Sequence, residues 1–115
     1  MREQGTLFSN DSLAASINSS GMQLDNVTRI SFQSIITGSP VGSLNLQCSN
    51  DLVNDVASVV NWQDYVSSSQ AVNGVGLNML ELTAVNVKWV RLKYTRTSGS
   101  GSITTNFYSI LDGKE

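Results

Sequence analysis

Hydrophobic and polar residues alternate along much of this chain, and the alternation predicts β-strands. In "KWVRLKYTRT" (88–97), Val90, Leu92 and Tyr94 fall on one side; Trp89, Arg91, Lys93 and Thr95 fall on the other. "SITTNFYSIL" (102–111) sets Ile103, Thr105 and Phe107 against Thr104, Asn106 and Tyr108. The glycine-rich "SGSG" (98–101) between these runs predicts a hairpin with a longer loop. "TRISFQSIIT" (28–37) points Ile30, Phe32 and Ile36 one way and Arg29, Ser31 and Gln33 the other. A turn around Pro40 then leads to "GSLNLQCSND" (42–51), where Leu44, Leu46 and Cys48 alternate with Ser43, Asn45 and Gln47. The reading pairs 43–48 with 29–37 as a second hairpin. Shorter strands are predicted over 12–17, 22–24, 62–66 and 77–82.

One segment departs from this period. "LVNDVASVV" (52–60) repeats its apolar residues at helical spacing, with Asn50 or Asp51 standing where an N-cap would. Two readings stay open: a short helix closing an end of the molecule, or an apolar loop packing on a neighbouring subunit. The pattern as a whole predicts an all-β, antiparallel β-sandwich of about eight strands, with jelly-roll or galactose-binding-like architecture. It would be a single domain over 1–115, with 1–11 as an extended N-terminal arm. Core candidates are Ile30, Phe32, Leu44, Leu46, Leu82, Val90, Leu92, Ile103 and Phe107.

Composition narrows the chemistry. Charged residues make up 14% of the 115 and the net charge is −2, against about 25% charged in an average domain. No basic run marks a nucleic-acid surface. No apolar run approaches the ~20 residues of a membrane span, and "MREQGTLFSN" lacks the apolar stretch of a signal peptide. Histidine is absent, which removes the commonest general base and the commonest metal ligand. Cys48 is the one cysteine, so it reads as a buried thiol on the core face. Asp51, Asp55 and Asp64 lack calcium-loop spacing, and nothing brings two of Asp25, Asp64 and Glu81 together as a catalytic pair. No catalytic residue, metal or cofactor is expected.

Two surfaces are candidate binding sites. Val53, Val56, Val59 and Val60 exceed what a sandwich core needs, and an exposed apolar patch marks an interaction site. With Trp89, Arg91 and Lys93 they form the expected protein interface. Trp62, Asn50 and Asp51 form the alternative, a sugar platform.

The ordered set "GSLNLQCSND", then Trp62, then "KWVRLKYTRTSGSGSITTNFYSI" resembles a group of short phage virion proteins, as does the upstream "INSSGMQLDNVTRISFQSIITGSPVG". The same core is similar to the discoidin, or galactose-binding-like, sandwich. The resemblance covers about residues 12 to 110. It implies a non-enzymatic virion structural protein: a capsid decoration or cement protein, or an accessory head or tail component. Its partners would be the major capsid protein or copies of itself in a homo-oligomer, without nucleic acid or membrane. It would be made in the host cytoplasm and carried in the virion. The alternative is a carbohydrate-binding module for host or glycan attachment. Leu52–Asn61 lengthens the loop before Trp62 beyond the pattern of the group, so this loop is where a property particular to this chain is expected.

Overall fold

The alternating runs become ten antiparallel strands in a computed structural model that describes residues 2–65, 68–83 and 85–111. In chain order they are β1 (Arg2–Ser12), β2 (Ile17–Asn18), β3 (Met22–Gln23), β4 (Val27–Gly38), β5 (Val41–Ser49), β6 (Gln63–Asp64), β7 (Gln70–Asn73), β8 (Gly76–Leu82), β9 (Trp89–Ser98) and β10 (Gly101–Leu111). One sheet has the order β1-β10-β4-β8. The other runs β2-β9-β5-β6, with β3 also on β9 and β7 also on β5. Because β2 and β3 follow one another along β9, and β7 and β6 along β5, each sheet is four strands wide. Eight strand positions in two facing sheets, with the chain passing repeatedly from one to the other, make a jelly roll. The expected all-β sandwich is therefore what forms.

The inner faces carry the core. Ile30, Phe32 and Ile36 of β4 face Leu44 and Leu46 of β5 and Val90, Leu92 and Tyr94 of β9; all are buried. Phe107 packs against this cluster half-buried. Phe8, Leu13, Leu24, Val27 and Val72 extend it. The polar pair inside it is satisfied: the Ser34 and Thr105 hydroxyls lie 2.7 Å apart across β4 and β10. The stretch expected as an N-terminal arm lies, from Arg2 on, in β1. It pairs antiparallel with β10 from Arg2–Ile110 to Ser12–Ser102 through two register shifts.

Neither expected hairpin forms. Strand β4 pairs with β10 and β8, whereas β5 pairs with β9, β6 and β7. The segments 29–37 and 43–48 thus lie in opposite sheets, and so do 88–97 and 102–111. Each connection is a corner over the end of the sandwich, and the two corners stack. Ser39 N–H donates to the Ser100 carbonyl at 2.8 Å, and Gly74 N–H donates to the Pro40 carbonyl at 2.8 Å. Gly99 has φ +74°, and a Cβ there would run into the Ser39 carbonyl oxygen. Alternation reports which face a residue is on, not which strand lies beside it.

The 52–60 segment is a loop with a single 3-10 turn, Val56–Ser58, capped by Asp55 rather than Asn50 or Asp51. The Asp55 carboxylate accepts the Ser58 N–H at 3.0 Å. Four valines restrict χ1 and disfavour the longer helix that the spacing allowed. Of the 12–17 run, Ser12 ends β1 and Ile17 opens β2, and the residues between them form no strand. Of the 62–66 run, Gln63 and Asp64 form β6, and Val66 lies outside the described residues.

Candidate functional site

The loop over 50–61 is a lid on the outer face of the six-stranded sheet, bonded to Lys88 and Trp89. Asp51 organises it. Its carboxylate accepts the Val60 N–H at 2.9 Å, the Asn61 N–H at 3.0 Å and the Asn61 side-chain amide at 2.9 Å. These bonds hold the Asp51 carboxyl below the usual carboxylate range, with the Val60 N–H contributing most. Asn50 Oδ1 accepts the Lys88 N–H at 2.9 Å, and Ser49 Oγ accepts the Asp51 N–H at 3.1 Å. Lys88 Nζ donates to the Val53 carbonyl at 3.1 Å, tying the far side of the loop to the strand entry.

Beneath the lid, alternation placed residues on the correct face but misjudged their exposure. Trp89 points outward from β9 as predicted, yet it is only 2% exposed, because the loop covers it and the Asp51 carbonyl accepts its indole N–H at 3.2 Å. Trp89 is therefore not exposed, and neither is Val59, a residue of the loop whose own side chain is buried. Arg91 is half-buried. Its guanidinium lies 4.5 Å from the Trp62 ring centroid, and its Nε donates to Gln47 Oε1 at 2.8 Å. Gln47 passes the chain on by donating to Asp64 Oδ1 at 3.0 Å. Gln47, expected to be a surface residue, is 6% exposed. Cys48 faces the core, half-buried; burial, with Asp64 adding to it, pushes its thiol pKa up. Lys93 is half-buried beside Asn45 and Asn18 in register, and Val53 is half-buried in the lid.

The lid leaves large apolar side chains in solvent among the polar Asn54, Asp55 and Ser58. Leu52 is 95% exposed, Val60 77% and Val56 38%. Val56 and Trp62 pack against Gly21, where a Cβ would strike the Val56 side chain, so the loop lies close on the β2–β3 edge. The three side chains of the sugar reading are engaged within the chain: Trp62 by Arg91, Asn50 by Lys88 and Asp51 by the loop. A depression of about 320 Å³ beside them is lined by Cys48, Ser49, Asn50, Asp51, Asn61, Gln63 and Val87.

The opposite outer face, on the four-stranded sheet, holds a larger depression of about 540 Å³. Register explains its lining. Gln4, Tyr108, Ser31 and Glu81 form one outward row across β1, β10, β4 and β8; Thr6, Asn106, Gln33 and Met79 form the next. The cup lies over these two rows, with Gly5 and Phe107 between them, and Glu81 outside its lining. Gln33, Asn106 and Tyr108 already stood on the outward side of their runs in sequence. Their meeting could not be read, because it depends on pairing between strands some 70 residues apart. Among the described residues no group of three metal-ligating side chains stands together, and no helix is long and apolar enough to cross a membrane.

No family model and no curated protein matches the chain. In fold it is similar to PirA, with a TM-score of 0.53 and 12% identity over 95% of this chain and 93% of that one. A chain from the structure of infectious bursal disease virus, Gx strain, is also similar, with a TM-score of 0.57 and 9% identity; all of this chain covers 33% of that longer one. The SPBc2 prophage-derived protein YomS shares the fold from end to end, with a TM-score of 0.59 and 7% identity over 95% of this chain and 94% of that one.

Proposed function

We propose that the chain is a non-enzymatic virion structural protein, a phage capsid decoration protein or accessory head or tail component, working through protein–protein contacts. The observation that carries this reading is the end-to-end sharing of fold with the prophage-derived YomS. The likeness to a chain of a virus particle supports it. The lid supplies the contact surface in this proposal. Leu52, Val56 and Val60 stand on a loop organised from within by Asp51, so they reach a partner with their positions already set. The partner is another virion protein or a further copy of the chain.

The test uses particles of the phage that encodes this sequence, purified by density gradient and immunoblotted for the protein. The expected result is a fixed copy number per particle. A L52S/V60S variant supplied in its place should remain folded and be lost from the particles. Absence of the wild-type protein from purified particles would overturn the reading.

A further inference from the structure

We propose that the cup on the four-stranded sheet binds a neutral carbohydrate. This does not depend on the virion reading, since the cup lies on the face opposite the lid. A sugar hydroxyl both donates and accepts hydrogen bonds, and so do the groups aimed outward here: the amides of Gln4, Gln33 and Asn106 and the hydroxyls of Thr6, Ser31 and Tyr108. Thr6 Oγ1 donates to Asn106 Oδ1 at 3.2 Å, which orients that amide and leaves its Nδ2 donors for a ligand. Tyr108 (42% exposed) and Met79 (51%) add apolar area for the C–H face of a sugar ring.

The lining carries no charged side chain, which disfavours a nucleic acid or phosphorylated ligand. It lies on the face of the sheet, across side-chain rows that run from β1 to β8, whereas an added peptide strand would pair with backbone beside an edge strand. The volume lies within the range of about 300–1,000 Å³ typical of small-ligand sites. A second, smaller depression of about 170 Å³ shares Ser31 and Tyr108 with the cup and leads towards Arg29 and Glu81. A chain of sugars therefore has a continuous path along β4 and β10.

The test is an array of neutral oligosaccharides probed with the whole protein. A 15N NMR titration with the best-bound oligosaccharide then follows the side-chain amides. The expected result is binding that shifts the amides of Gln4, Gln33 and Asn106. Affinity should fall about tenfold in each of Q33A and N106A, as loss of one or two ligand hydrogen bonds predicts, while melting temperatures stay near wild type. Three results would overturn the proposal: no oligosaccharide bound; shifts confined to Asn50, Asn61 and Trp62; or shifts of the cup amides with protein concentration alone, which would mark the face as a contact between copies.

Discussion

Gln47 shows how a residue on the polar side of a strand can carry structural load. Itself only 6% exposed, it bridges half-buried Arg91 and exposed Asp64, so truncating it removes two charge-assisted hydrogen bonds at a covered position. Gln47→Ala is expected to cost about 1–3 kcal/mol. Gln33→Ala, on an open outward position, should stay within about 0.5 kcal/mol. Urea unfolding of the two variants distinguishes them, and equal costs would contradict the covered site. Tyr94 presents the reverse case. Its side chain is fully buried, and among the described residues its hydroxyl has no hydrogen-bond partner. Burial pushes its pKa up, against a smaller opposing effect of Arg96. Tyr94→Phe removes a desolvated group that gains nothing in the fold, so stability should hold or rise, by up to about 1–3 kcal/mol. A clear loss in the same urea assay would show that the hydroxyl is satisfied in solution.

At the scale of elements, the lid is the unit that responds to acid. The folded-state pKa of Asp51 lies below its ordinary value, so its contribution is complete above about pH 4. It is lost as pH falls through the lowered folded-state value. Acid should therefore loosen the lid over Trp89 before it unfolds the sheets. The expected signal is a red shift of tryptophan emission ahead of loss of far-ultraviolet β signal. In Asp51→Asn the early step should be missing, because the lid is already loosened at neutral pH. Gly21→Val should produce the same loosening without acid, since its side chain would occupy the space of Val56 and Trp62. Rapid proteolysis within 52–60 would report it. Strands β4, β9 and β10 could be read from sequence because one face of each is buried, and burial imposes period two on the residues. The corners could not, because Gly99 and Pro40 look the same in a hairpin and in a crossover. The lid defeated the exposure estimate for a related reason. Its hold on Trp89 comes from Asp51, 38 residues away, through a backbone carbonyl that has no sequence signal.

Over the whole molecule, the jelly roll separates two outward surfaces by its two sheets. The lid with its exposed Leu52 and Val60 lies on one, and the uncharged cup on the other. The pairing of β1 with β10 has a mechanical consequence. Residue 2 sits beside residue 110, so tension applied at residues 2 and 111 loads the β1–β10 hydrogen bonds one after another, from that end inward. Tension applied at residues 12 and 111 pulls the same two strands past each other and loads their bonds together. In an optical-trap experiment the first geometry should give way at lower force than the second, with β1 peeling off while the opposite sheet stays intact. A molecule joined to its surroundings through the adjacent ends of β1 and β10 would thus yield gradually under strain, like a zip, rather than snap.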